Sequence, residues 1–330
     1  MTGGEETEYI REKVRATALY MQNGHPPFDL SLQVTIPNEF QKMALINIGY
    51  TAGIETTKIS PEWIEKCNGI IDRLIVVSEH SKKVFEQTKY TVQDNNGVQI
   101  PDWCLTKPVT AVNYAVRTTE PEAIEIEFTT TKNFLTVAQW GPRKNLENTI
   151  GWFTQEFKDD EDVGLIVKTN TASDCVVDRE HTTKRLENLL SHIGEHKCKV
   201  YLIHGELPAG ALTWLYQLPT KQGFINLAHG EGYGLPLFEA AYNGLPLITL
   251  PWSGQLDFIC KPNKKGKKVP LITKVDYRLD KVQPGAVWNG VIQKDSMWAY
   301  ANEDSYKRAL RDCLTKRKYT LDRATSLKNH

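Results

Sequence analysis

The sequence predicts an α/β protein made of two doubly wound, Rossmann-like domains that face each other across a cleft. Three observations carry that expectation. Short apolar runs alternate with amphipathic stretches, the pattern of a parallel sheet with helices packed on it. The alternation breaks once, at NYAVRTTEPEAIEIEFTTTK (residues 113–132), where Thr, Glu and Pro replace the periodic apolar positions. The length of 330 residues suits two domains better than one. The boundaries follow: an N-terminal domain over 1–112, a linker over 113–132, a C-terminal domain over 133–299, and a final helix with a polar, basic tail over 300–330.

Each element has a local reason. Residues 5–22 read as a helix, and LSLQVTI (30–36) and ALINIGYT (44–51) as strands. Ser60-Pro61-Glu62-Trp63 opens a helix, because Ser60 can cap it and Pro61 suits its first position. RLIVVS (73–78) is a short buried strand, followed by the Ser-capped helix SEHSKKVFEQTK. Past the linker the strands are FLTVAQW (134–140), VGLIVKT (163–169), KVYLIHG (199–205), GFINLAH (223–229) and LPLITL (245–250). Helices fall at 146–157, 179–193, 209–216, from Pro236 to near Gly244, and at 300–313. In such sheets ligands bind beyond the carboxyl ends of the strands, and two facing domains place the site in the cleft between them.

Composition narrows the function classes. Lys plus Arg equals 40 and Asp plus Glu equals 40, so no global charge draws the chain to nucleic acid or an anionic membrane. Hydrophobic residues at 40% and charged residues at 24% describe an ordinary globular protein. The six cysteines form no C-x-x-C pair and sit near no histidines at metal-ligand spacing, so they read as free thiols of a reducing cytoplasm. No apolar run approaches the roughly 20 residues of a membrane span. The opening MTGGEETEYIREK is acidic and then mixed in charge, unlike a signal peptide.

The stretch that carries chemistry is HGEGYGLPLFEA, residues 229–240. Gly230, Gly232 and Gly234 let the backbone turn sharply and approach a ligand closely. Pro236 fits a helix start, so loop amides and a helix N-terminus converge in a ready anion site. Glu231 and Glu239 bracket it. Carboxylates beside an anion site need another partner, and sugar hydroxyls are the natural one. A ligand with phosphates in the middle and sugars at both ends satisfies the pattern: a nucleoside diphosphate sugar. Two glutamates eight apart near glycines also occur by chance, and the spacing alone leaves that open.

The context adds a resemblance. GEGYGLPLFEAAYNGLPLI resembles the E-x7-E signature of retaining glycosyltransferases of the GT-B fold, in glycosyltransferase family 4 (group 1). RLIVVSEHSKKVF, VAQWGPRKNLENTI, LIHGELPAGALTWLY and PWSGQLDFI look like further segments of that family in the same order. IGYTAGIETTKISPEWIEKCN resembles a branch with an E-T-x-x-x-P-x-W element, so the likeness spans roughly residues 44–310. The resemblance implies that Glu231 bonds the donor sugar and Glu239 the ribose. It implies that amides around Gly232, Tyr233, Gly234 and Leu235 meet the diphosphate and sugar. Arg143 and Lys144 match the basic pair that neutralises the leaving diphosphate, where fixed cations stabilise developing charge. It implies no metal or other cofactor.

The chain departs from the family in places. Ala138 stands where a glycine is usual, and Lys168-Thr169-Asn170 replaces a glycine-rich strand end. Lys168 is either a second phosphate contact or a solvated strand-end lysine. His229 and His204 either line the cleft or pack as hydrogen-bonding residues. Asn38, Glu39 and Glu55 follow strands and could face the acceptor, as could His25. The N-terminal domain looks shortened, lacking the family's first strand, glycine loop and helix. KPNKKGKKVP holds Lys261, Lys264, Lys265, Lys267 and Lys268, either a solvated loop or a patch for an anionic acceptor. The tail residues Lys316, Arg317 and Lys318 could extend that patch. The expected function is transfer of a sugar to an acceptor hydroxyl with retention, in glycan or lipid-linked sugar synthesis. Two alternatives stand beside it: a viral-type enzyme glycosylating hydroxymethylated pyrimidines in DNA, and a sugar-nucleotide-binding protein without catalysis.

Overall fold

Apolar, β-branched runs become strands, and stretches with apolar residues every three or four positions become helices. The computed structural model describes residues 4–24, 28–93 and 96–330. The N-terminal unit runs α1 (Glu5–Gln22), β1 (Phe28–Val34), β2 (Ala44–Thr51), α2 (Pro61–Ile70), β3 (Arg73–Val76), α3 (Glu79–Gln87), β4 (Lys89–Gln93), β5 (Gln99–Cys104) and β6 (Val109–Ala111). Strands β1, β2, β3 and β6 pair in that order as a parallel sheet, and β4 and β5 form a separate hairpin. Both helix starts work as their sequences suggest. Ser60 Oγ accepts from the Glu62 amide with Pro61 in the first turn, and Ser78 Oγ accepts from the Ser81 amide. Phe40, Ile54, Trp63, Leu74, Val76 and Phe85 fill this unit's core. Helix α1 stays outside it, with Tyr9, Ile10, Val14 and Leu19 exposed.

Residues 112–131 form neither helix nor strand. The second unit then runs β7 (Lys132–Val137), α4 (Leu146–Glu156), β8 (Val163–Thr169), α5 (Val176–Ile193), β9 (Lys199–His204), α6 (Ala209–Gln217), β10 (Lys221–Asn226), α7 (Leu235–Tyr242) and β11 (Leu247–Thr249). It ends with α8 (Leu256–Ile259), the hairpin β12 (Cys260–Pro262)–β13 (Lys268–Pro270), β14 (Thr273–Lys274), the hairpin β15 (Tyr277–Lys281)–β16 (Met297–Ala301), α9 (Glu303–Thr315) and α10 (Arg317–Lys328). The six-stranded parallel sheet has the order β14-β11-β10-β7-β8-β9. Its strands alternate between two cores. Phe134, Val167 and Ile225 meet α4 and α9 on one face, whereas Leu135, Ile166 and Phe224 meet α6 and α7 on the other.

The strand order places the site. The chain steps outward from β7 to β9, then returns to the opposite side of β7 through β10. Between β7 and β10 the connections therefore diverge and leave a crevice at the carboxyl ends of the strands.

Two sequence expectations need correction. The lysine run is not a plain loop but the hairpin β12–β13, closed by Asn263 N donating to Lys267 O at 2.9 Å. The basic tail is helix α10, because Thr320, Ala324 and Leu327 fall on one helical face and are buried. Among the described residues, no helix is long and apolar enough to cross a membrane. All six cysteines are free.

Candidate functional site

The basic pair is positioned by backbone geometry. After β7 the chain enters a tight turn, Pro142–Lys144, ended by Asn145 in the left-handed region (φ 55°, ψ 36°). Asparagine tolerates that conformation better than most residues. Asn145 Nδ2 donates to Leu227 O at 3.2 Å, and His229 N donates to Arg143 O at 2.8 Å. The turn after β7 is thus tied to the segment leaving β10, across the switch point.

Glu231 rises into that junction with its side chain only 5% exposed. Lys144 Nζ donates to its two oxygens at 2.6 and 2.9 Å, Arg143 Nη1 at 2.8 Å and Asn226 Nδ2 at 3.1 Å. Its own amide donates to Ser253 Oγ at 2.9 Å. Burial alone would push the carboxyl up, but Lys144 and Arg143 outweigh it and hold it down at about 2. Burial pulls Lys144 below the usual lysine range. Arg143 Nε also lies 3.4 Å from Glu55 Oε1, on the N-terminal unit. Two acids and two bases from both units therefore cancel one another.

The glycine loop is packed rather than open. A Cβ on Gly230 would lie 2.1 Å from the Glu55 carbonyl oxygen, and one on Gly232 would lie 2.4 Å from that of Ala52. The expectation that these glycines let the backbone approach a ligand is corrected: in the structure their nearest neighbour is the N-terminal backbone. Gly234 has a different reason, a φ of 96° at the start of α7. Ser253 holds the left-handed region too (φ 64°), and Gly254 N donates to Glu231 O at 2.9 Å.

Glu239, two turns away on α7, has the opposite setting. It makes no ion pair among the described residues, and its one side-chain partner is Tyr216, whose hydroxyl donates at 2.9 Å. Burial raises its pKa above the usual glutamate range. It lines a cavity of about 340 Å³ together with Leu235 and residues of the interdomain segment. Lys168, at the end of β8, likewise has no ion pair among the described residues. Burial lowers its pKa, opposed by Glu206, Asp174 and Glu239.

The remaining candidates divide. Glu55 joins the ion network, while Glu39 is exposed and accepts from Thr35 Oγ1, away from it. Asn38 Nδ2 donates to Gly290 O at 3.4 Å, and its buried Oδ1 has no partner. His25 lies outside the described residues. His229 is a packing residue: buried, 2.7 Å from Ala299 O through Nδ1, and stacked on Trp298 at 4.8 Å. His204 Nε2 pairs with Asp178 at 2.8 Å, which also accepts from the Thr171 and Ala172 amides and so fixes the loop after β8. Tyr233 is buried with its hydroxyl pushed up to about 12 by burial, so it offers a ring and not a base. The methyl of Ala138 packs against the C-terminal core. Asn226, Ser253 and Tyr216 were missed from sequence. Only Asn226 gave a signal, as a polar residue closing an apolar strand.

A second cavity, about 510 Å³, lies between the two units and is lined by His80, Lys83, Trp252, Ser253 and Asp257. Asp257 accepts from the Glu79 amide at 2.9 Å and from Asn113 Nδ2 at 2.8 Å, joining α3, the interdomain segment and the C-terminal unit. A larger depression of about 880 Å³ opens around Lys158, Gly194 and Lys197, at the amino ends of β8 and β9 and far from this chemistry.

No family model matches the chain, and no curated protein matches it. Solved structures do. Sucrose-phosphate synthase from Thermosynechococcus elongatus aligns with a TM-score of 0.57 at 14% identity, over 99% of this chain and 78% of that one. The E. coli structure described as trehalose-6-phosphate bound with UDP-2-fluoro glucose aligns at 0.55 and 11%, over 96% and 73%. TarM aligns at 0.51 and 14%, over 91% and 51%. The chain spans about half the length of the TarM and GtfA structures it matches. At these identities the likeness is one of fold, and the fold is GT-B: two facing α/β domains, here with a four-stranded N-terminal sheet beside a six-stranded one.

Proposed function

We propose that this protein is a retaining glycosyltransferase that moves a sugar from a nucleoside diphosphate sugar to an acceptor hydroxyl. The observation that supports this best is the contrast within one loop-and-helix unit at the switch point. Glu231 is locked ionised between Arg143 and Lys144, while Glu239 stands over a cavity with hydrogen-bonding capacity to spare. In this reading Glu239 takes the ribose hydroxyls, Glu231 orients the donor sugar, and Arg143 and Lys144 transfer their charge to the diphosphate. Lys168 adds a further cation. The C1–O bond to the diphosphate breaks and the leaving phosphate keeps the electron pair. The acceptor oxygen bonds to C1 on the same face, and its proton passes to that phosphate. The reading calls for no metal and no organic cofactor.

Donor entry requires the N-terminal unit to draw back, because Ala52 O and Glu55 O stand against the glycine loop. The cavity beside His80 and Trp252 then adjoins the loop through Ser253 and is the place for an acceptor, a glycan or lipid-linked sugar. Six free thiols suit a reducing compartment such as the cytoplasm.

Two other readings each have an observation behind them. Lys264, Lys265 and Lys267 are exposed on their hairpin without an ion pair among the described residues, which favours a polyanion such as DNA bearing hydroxymethylated pyrimidines. The neutralised Arg143–Lys144–Glu231 cluster favours a binding protein without turnover. The test is incubation with UDP-, GDP- and ADP-sugars, each with neutral glycans or modified DNA, scoring nucleoside diphosphate release and acceptor mass. We expect turnover that falls by about 10²–10³ in Lys144→Met. Mass gain on DNA alone would favour the DNA reading, and tight binding without release the non-catalytic one. Neither binding nor release of any nucleotide sugar would contradict the proposal.

A further inference from the structure

The interdomain segment does more than connect. It is strapped along α6 and α7 at several points. The hydroxyls of Thr118 and Tyr242 are 3.0 Å apart, and Glu122 N donates to Gly210 O at 3.0 Å. Gly210 permits that approach: a Cβ there would lie 2.9 Å from Glu122 Cβ. At the other end the Tyr114 ring stands edge-on to Tyr233 at 5.5 Å, and its hydroxyl bonds to that of Tyr50. The strap thereby contributes to the wall of the 340 Å³ cavity that holds Glu239, where Val116 and Arg117 line it together with Leu212, Tyr216 and Leu235. That volume lies in the range of small-ligand pockets.

Most polar groups in this wall are already used. The Tyr216 hydroxyl is committed to Glu239, and Thr213 Oγ1 donates to Ala209 O. Asn243 accepts from Gln217 and donates to Glu239 O. The charged side chains of the lining are Glu239 and Arg117, and neither makes an ion pair among the described residues. Glu239 accepts only and Arg117 donates only. The rest of the lining includes the apolar Val116, Ala209, Leu212 and Leu235, a surface that suits a flat ring. A complementary ligand has vicinal hydroxyls at one end, a planar ring in the middle and a carbonyl oxygen at the other.

We propose that the strap Tyr114–Thr119 is the outer wall of a nucleoside subsite, and that Arg117 selects a base with a ring carbonyl, uracil or guanine, over adenine. The inference rests on the nucleotide-sugar reading above and names the specificity of that same site. Arg117 is exposed, so its replacement leaves the fold intact.

The test is titration calorimetry of UDP, GDP and ADP against the wild type, Arg117→Ala and Glu239→Ala, with melting temperatures as a folding control. The wild type should bind UDP or GDP about tenfold or more tighter than ADP, the worth of one charge-assisted hydrogen bond. Arg117→Ala should bring the nucleotides within about threefold of each other. A wild type that prefers ADP overturns the inference. So does an unchanged ratio in Arg117→Ala, and so does an equal loss for all three, which would make Arg117 a phosphate contact. If Glu239→Ala weakens all three while Arg117→Ala does nothing, the transferase reading stands and the strap inference falls. If no nucleotide binds the wild type, both fall.

Discussion

Glu231 and Glu239 lie eight residues apart on one strand–loop–helix unit, yet their surroundings move their acidities in opposite directions. Glu231 is the more buried and the more acidic, because two cations reach it across the switch point. Glu239 is less buried and less acidic, because burial raises it and only the Tyr216 hydroxyl and the more distant charge of Lys168 oppose that rise. Burial therefore does not decide a carboxylate's state; the partners delivered by the topology do. One acid is held ready as a fixed part of the framework. The other retains capacity for a ligand that brings its own donors.

The largest expected break in this comparison is in stability. Glu231→Ala leaves Lys144 and Arg143 buried without their main partner, which should cost about 3–5 kcal/mol. Glu239→Ala removes one hydrogen bond at a cavity wall and should cost about 1 kcal/mol. Urea denaturation of both variants checks the order, and equal losses would show that the ion cluster contributes little.

A pH series sharpens the same contrast. Glu231 falls from an ordinary 4.5 to about 2 in the folded state. A depressed carboxylate stabilises above its unfolded pKa, and that contribution is lost as pH falls through the folded one. The amount is about 3 kcal/mol at neutral pH, at 1.36 kcal/mol per unit. The stability gap between wild type and Glu231→Gln should thus shrink between pH 4.5 and pH 2. Glu239 has the reverse sign. Its raised pKa contributes stability that is present below the unfolded value and lost as pH rises through the folded one. Glu239→Gln should gain on the wild type as pH rises through that window. A gap that moves the same way for both variants would contradict the account.

The smallest effect belongs to the link between the units. Glu55 and Arg143 are a quarter exposed and 3.4 Å apart. Glu55→Gln should change stability by under about 1 kcal/mol. Its clearer readout is small-angle scattering, where a larger radius of gyration would mark looser domains; an unchanged radius would mean the backbone contacts at Gly230 and Gly232 hold the units alone.

Much of this fold was legible locally. Strands β2 and β8 begin and end where ALINIGYT and VGLIVKT do, because each is a short run rich in Ile, Leu or Val, residues that suit a pleated, half-buried surface. Ser60-Pro61 and Ser78 declared their helices through capping chemistry. The hairpins β12–β13 and β15–β16 were not legible, since KPNKKGKKVP and YRLDK carry charge where an alternating pattern would be apolar. Helix α10 hid because its buried face is Thr320, Ala324 and Leu327, a weakly apolar stripe. At the site, the residue types were readable and their pairing was not. That Arg143 and Lys144 would close onto Glu231 depends on the strand order, which sets residues 87 and 88 positions apart side by side. That the glycines face Ala52 and Glu55 depends on how the two units dock.

The central claim is that Glu239 waits for ribose hydroxyls while Glu231 does not. The most direct measurement is the affinity of UDP, GDP and ADP against their 2′-deoxy forms, in wild type and in Glu239→Ala. The account predicts that the wild type favours the ribonucleotide by about tenfold, a charge-assisted hydrogen bond, and that Glu239→Ala abolishes the preference. A preference that survives in Glu239→Ala, or a wild type indifferent to the 2′-hydroxyl of every nucleotide it binds, would contradict it.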